Sequence, residues 1–304
     1  MGSEGFPLSV QQRRLLGGVA CGHESVAPAI CRVKLSGKLQ VKALHQALSD
    51  VAGTYEILRT EVRTEGAGAQ PLQFIHEEDG VQEVMGGADL AAEIQARGWG
   101  LHFHLLAMSA DEHELQLGLP AAMADAVSLT NLVTEICQAY GERCAGREPA
   151  GDAMQYLDIA EWQDELVRSP ESAPGRAYWA DRDLTLGADV ELPFQMEAGA
   201  GSAMATFACT LDGEEAAAVV QAAQEAQSDA SSLLLAAWVG LLRRMTLSSD
   251  VLVGVCVPGR GYEELEDPLG LLARTLPIGV DLSADPTFAE LTKQASNALS
   301  SAIA

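Results

Sequence analysis

Imidazole is the side chain best suited to moving a proton near neutral pH, and this chain carries six histidines. His102 and His104 stand two apart in a run that reads as a strand, so both side chains project from one face. Such a pair offers a general base, or two of the ligands of a metal ion. No third ligand is identifiable, and a solvated or hydrogen-bonded strand pair is the commoner use of that spacing. His113 faces a turn, and His23, His45 and His76 belong to no constellation. Asp125 and Ser128 form a second group, since each has a side-chain oxygen able to accept from an unpaired N–H in a first helical turn. The sequence has no Gly-x-Ser-x-Gly elbow, no Walker loop and no His-Glu-x-x-His helix, and Gly254 to Gly259 reads as a strand end and turn. Six cysteines (Cys21, Cys31, Cys137, Cys144, Cys209 and Cys256) show no metal-ligand spacing and read as reduced, small buried hydrophobes.

Strands and helices must position these groups. Cys31 to Gly37, Leu72 to Glu77, His102 to Met108 and His113 to Leu119 have strand character, and Val41 to Val51 reads as a helix. The last two strands flank Ser109 to Glu112, a polar tetrad suited to a hairpin turn. After Leu119 a short loop leads into an amphipathic helix with Leu129, Leu132, Val133, Ile136, Cys137 and Tyr140 at helical spacing. Further on, a strand is expected at Ala205 to Leu211, and helices at Gly213 to Gln227 and Ser231 to Met245. The second of these carries Leu234, Ala237, Trp238, Leu241, Leu242 and Met245 on one apolar face, with Arg243 and Arg244 on the other. Asp250 to Val257 reads as a strand buried on both faces, Leu276 to Leu282 as another strand, and Thr287 to the end as a last helix. Trp162 and Tyr178-Trp179 read as core or lobe-packing residues. The alternation gives an α/β or α+β layout.

At 304 residues the chain exceeds what one core usually organises. Two lobes are expected, residues 1–186 and 203–304, joined by a Gly- and Ala-rich linker at 187–202. Hydrophobic residues make up 48% of the chain and the mean hydropathy is +0.07, which suits a folded protein rather than a disordered one. A formal charge of -24 repels phosphate backbones and anionic lipid, so nucleic-acid and membrane-surface roles are disfavoured and a basic partner face is the natural match. No apolar run approaches the roughly 20 residues of a spanning helix. No signal peptide is evident, so a cytoplasmic setting is expected.

Pro7 to Leu16, containing Ser9, Gln12 and Arg13, resembles the opening motif of the condensation domains of nonribosomal peptide synthetases. Tyr55 to Thr60 is similar to their second motif, with Thr54 and Tyr55 where an Arg and a His belong. Tyr156 to Gln163, followed by Tyr178-Trp179, resembles the fourth, and Asp250 through Pro277 the fifth and its approach. The third motif, His-His-x-x-x-Asp-Gly in the family, falls on Pro120, Ala121, Asp125 and Ala126, so both histidines are replaced.

The resemblance implies a chloramphenicol-acetyltransferase-like fold, with a complete N-terminal lobe, a partial C-terminal lobe and the Pro120 to Ala126 loop facing the cleft. It also implies a condensation-like module without its catalytic imidazole, in which Asp125 is structural, as a helix cap or as a buried ion-pair member whose partner is Arg59, with Ser128 a structural helix-start residue beside it. His102 and His104 are the candidates to substitute for the missing base in an amide- or ester-forming acyl transfer. No cofactor of its own and no metal are expected. Phosphopantetheine would be carried by a partner, and the partners implied are adenylation or carrier domains and a tailoring enzyme, since related inert domains recruit oxygenases. The family continues beyond its fifth motif, so this chain looks shortened, whether by nature or by where the sequence was cut.

Overall fold

The computed structural model describes residues 5–20, 26–64, 69–149, 151–185, 191–193 and 207–304. They form two compact units, residues 1–172 with 258–274 and residues 173–257 with 275–304. The chain therefore leaves the first unit, returns to it for 17 residues and leaves again. Most of the 187–202 stretch taken as the linker lies outside the described residues.

The first unit contains β1 (Gly5–Pro7), α1 (Val10–Ala20), β2 (Ala29–Ser36), α2 (Val41–Thr54), β3 (Thr60–Arg63), β4 (Leu72–Ile75) and β5 (Gln82–Glu83). It continues with α3 (Leu90–Arg97), β6 (His102–Ala107), β7 (Glu112–Leu119), α4 (Ala126–Cys144) and α5 (Tyr156–Arg168). Its larger sheet has the order β2-β7-β6-β5 and its smaller one β1-β4-β3. The β6–β7 hairpin is antiparallel with His102 opposite Gly118, and β5 runs parallel to β6.

Alternation along the strands sorts residues between two faces. Leu115, Leu117, Leu119 and Phe103 face the main core, where α2 brings Leu44, Leu48 and Val51 and α4 brings Leu129, Leu132 and Ile136. Gly118 points the other way, toward α3, where an added Cβ would meet Ile94 and Ile30. Burying about six such aliphatic side chains contributes on the order of 1.5–3 kcal/mol each, so the main core fixes the sheet that carries the third motif.

The second unit contains α6 (Ala173–Ala180), α7 (Gly213–Glu225), α8 (Ala230–Thr246), β8 (Asp250–Val257), β9 (Arg274–Asp281) and α9 (Phe288–Ile303). β8 and β9 pair, and Leu235, Ala236 and Val239 of α8 join Leu291 and Ala295 of α9 in its core.

Four expectations are corrected here. The buried face of α8 is Ser232, Leu233, Leu235, Ala236 and Val239, whereas Leu234, Trp238, Leu241 and Met245 are exposed. This helix is apolar nearly all round, and it buries the face carrying small Ala236, which shares a core with Ala295 of α9, both fully buried, so that α8 and α9 pack together. β8 is not covered on both faces, because Gly254 and Cys256 are exposed. The described part of the expected strand at Ala205 to Leu211, residues 207–211, forms no strand and Phe207 is exposed; among the described residues no edge pairs with it, and strand composition alone makes no ladder. Cys137, Cys144, Cys209 and Cys256 are exposed rather than buried, since apolar neighbours in sequence do not decide which face a residue takes. Cys21 lies outside the described residues.

Candidate functional site

β7 ends at Leu119, and the Met123 N–H donates to the Pro120 carbonyl at 2.9 Å, closing the turn that leads into α4. Ala122, Met123 and Ala124 are buried in the main core, while Pro120 and Ala121 are half-buried. Along Pro120 to Ala126 the only side chain able to exchange a proton is Asp125.

Asp125 is the N-cap of α4. Its Oδ1 accepts from the Ser128 N–H at 2.8 Å, from the Ser128 hydroxyl at 2.8 Å and from Arg260 Nη2 at 3.3 Å. Its Oδ2 accepts from the Leu272 and Ala273 N–H groups, both at 2.9 Å. A carboxylate has about four lone-pair sites, so these donors leave no free acceptor for an incoming proton. Burial raises the carboxyl, but the Ser128 hydrogen bonds, the Arg260 guanidinium and the Ala273 N–H outweigh it and hold it below the usual carboxylate range. Arg260 and Asp125 are 5% and 4% exposed.

The ion-pair partner of Asp125 is thus Arg260, not Arg59. Arg59 sits just before β3, donates to the His76 carbonyl at 2.5 Å and pairs with Glu56 at 3.7 Å. The 258–274 segment returns to the first unit and delivers the Arg260 guanidinium to the head of α4, which no local spacing announces.

Around this pair the motif stretches are linked by buried polar groups. Ser128 Oγ accepts from Arg260 at 3.0 Å and from the Gly270 N–H at 3.1 Å. The Tyr156 hydroxyl lies 2.7 Å from Ser9 Oγ and 2.8 Å from the Leu271 carbonyl, and burial pushes its phenol well above the ordinary value. Gly270, at φ +147, is packed against the Tyr156 ring, so any Cβ there would collide with it. Gln12 donates to Gln73 at 3.0 Å and to the Ala122 carbonyl at 3.1 Å. The Tyr55 to Thr60 stretch joins through Gln155, which accepts from the Glu56 N–H at 3.0 Å and donates to the Thr54 carbonyl at 3.0 Å. Tyr156, Gln12 and Gly270 were legible only as members of motif stretches; polar side chains inside apolar surroundings were the signal.

The histidine pair lies elsewhere. His102 is fully buried on the α3 face of the sheet, opposite Gly118, whereas Ala122 to Ala124 pack on the other face. Its Nδ1–H points at the Gly100 carbonyl at 3.2 Å, Nε2 has no partner among the described residues, and burial lowers its pKa. His104 is half-buried on the same face. Among the described residues no three His, Cys, Asp or Glu side chains are grouped to hold a metal ion, and no helix is long and apolar enough to cross a membrane. Trp162 is not a core residue; it is 38% exposed and stacks edge-on against Tyr262. Tyr178 and Trp179 pack against the core of the second unit.

A mixed α/β chain with this buried Asp–Arg pair behind a loop–helix junction has the layout of the condensation-domain fold. A family model of the condensation domain matches residues 6–304, and the chain belongs to that family. It is 34% identical over 95% of its length to the probable non-canonical nonribosomal peptide synthetase CymA of Salinispora arenicola (strain CNS-205), of which it spans 4%. The X-domain from teicoplanin biosynthesis, solved in complex with OxyB, is 28% identical and superposes with a TM-score of 0.76 over 99% of this chain and 71% of that one. The first condensation domain of the calcium-dependent antibiotic synthetase has the same fold at 19% identity, with a TM-score of 0.75 over 99% of this chain and 75% of its own.

Proposed function

We propose that this condensation domain does not catalyse amide or ester formation, and that it serves a nonribosomal peptide assembly line as a docking and recruitment module. The observation that carries the reading is the loop before α4, where Ala121 offers a methyl group and Asp125 is saturated by hydrogen bonds. A carrier-bound amine attacking a thioester needs a group near neutral pKa to hold or take its proton, and no side chain from Pro120 to Ala126 supplies one. The teicoplanin X-domain, a relative crystallised with a partner protein, gives recruitment a precedent. In this reading the module works in the cytoplasm beside adenylation and carrier domains. Phosphopantetheine is held by the carriers, and the recruited partner is a tailoring enzyme.

The test is direct. Donor and acceptor carrier domains are loaded with their thioesters, incubated with the chain and followed by intact-mass spectrometry. No transfer above the chain-free rate is expected. Product formation, above all product lost in His102→Ala or His104→Ala, would establish the alternative, condensation with a substitute base.

A further inference from the structure

α5 is amphipathic in an unusual way. Tyr156, Ile159 and Ala160 are buried, while the opposite face shows Asp158, Glu161, Trp162 and Glu165 to solvent, at i, i+3, i+4 and i+7. Trp162 meets Tyr262 edge-on, with ring centroids 5.3 Å apart and planes at 85°, and Tyr262 is itself 52% exposed. Beyond Tyr262 the chain presents Glu263, Glu264, Glu266 and Asp267, all exposed. An open aromatic pair is therefore bordered on both sides by carboxylates, none of which forms an ion pair among the described residues. The neighbouring cations Arg13 and Arg168 are committed to Asp164.

The surface is held rigidly. Leu265 and Leu269 are buried in the main core, Arg260 donates to the Leu265 and Pro268 carbonyls at 2.6 and 2.9 Å, and Asn131 donates to the Glu266 and Asp267 carbonyls at 2.7 and 2.9 Å. The guanidinium that pairs with Asp125 thus also braces this acidic segment. Trp and Tyr are the side chains that dominate binding when covered, and preordered rings and backbone reduce the cost of association.

We propose that this face of α5 with Tyr262 to Asp267 is the docking surface of the module, and that its occupant is a folded protein presenting arginine side chains. The proposal rests on the recruitment reading above. Guanidinium is the complement of both parts of the patch, stacking on the indole and phenol faces and forking onto carboxylates. A second copy of this chain, with 43 acidic and 19 basic side chains, would bring like charge to it. The exposed apolar stripe of α8 has no comparable charge pattern and identifies no occupant.

Each carrier domain and each tailoring enzyme encoded beside the chain is purified and titrated against it by calorimetry at low and high salt. Wild type, Trp162→Ala and the double reversal Glu161→Lys with Glu264→Lys are compared. Binding by wild type that falls at least 10-fold in both variants and weakens with salt, while their melting temperatures stay near wild type, supports the proposal. Restoration of binding to the double reversal by an Arg→Glu change on the partner supports it further. Equal binding by all three chains overturns this surface and leaves the recruitment reading intact. Absence of binding to every partner overturns recruitment, and the surface with it.

Discussion

Asp125 shows how a residue from a catalytic motif can be wholly engaged in structure. Its carboxylate caps α4, neutralises Arg260 and ties down the Leu272 and Ala273 amides. Asp125→Ala leaves the buried Arg260 guanidinium without its counter-charge and the Leu272 and Ala273 amides without their acceptor, and loss of one member of such a pair costs about 3–5 kcal/mol. Urea unfolding of Asp125→Ala, Arg260→Met and the double variant should show strong coupling, the double variant being less destabilised than the sum of the singles. The pH dependence has a definite sign. Because the folded carboxyl lies below its unfolded value of about 3.9, its stabilisation is complete above that pH and is lost as pH falls through the folded value. Unfolding free energies measured from pH 6 downward should therefore fall more steeply below pH ~4 in wild type than in Asp125→Asn. An identical slope in both would show that Asp125 is not held in its charged form.

Among the elements, α8 is where periodicity misleads. Leu234, Trp238, Leu241 and Met245 make a regular stripe, yet the stripe that packs is built on Ser232, Ala236 and Val239. Hydrophobicity alone does not rank two apolar faces, and the close approach permitted by small residues does. Ala236→Leu should overpack the core shared with α9 and cost about 1–3 kcal/mol, whereas Trp238→Gln should change stability by no more than about 0.5 kcal/mol. Thermal melts of the two variants check this, and the reverse order would return the buried face to Trp238. α4 is the contrasting case. Its Leu129, Leu132 and Ile136 are buried at the spacing the sequence shows, because its main apolar stripe has one core to enter, built by α2 and the β6–β7 strands.

The whole molecule is organised by a chain return. The first unit is incomplete without residues 258–274, which bring Arg260 to Asp125 and place Leu265, Leu269 and Leu272 in the main core. A fragment of residues 1–172 is therefore expected to lose cooperative unfolding and to bind a hydrophobic dye, while the full chain does neither. Supplying 258–274 through a short linker should restore a sharp transition. A cooperative melt of the fragment alone would show that the returning segment is dispensable.

What the sequence determined by itself is considerable, because it depends on local order. The strand–loop–helix frame around Pro120 to Ala126, the absence of an imidazole there and the succession of motif stretches are properties of neighbouring residues. The tertiary structure alone decided that Arg260 rather than Arg59 meets Asp125, that His102 sits on the far face of the sheet from Ala122 to Ala124, and that Trp162 is open to solvent. Each of these depends on which distant segment supplies the opposing surface. Hydrophobic spacing along one element identifies the faces available for burial, and only the packed chain selects among them.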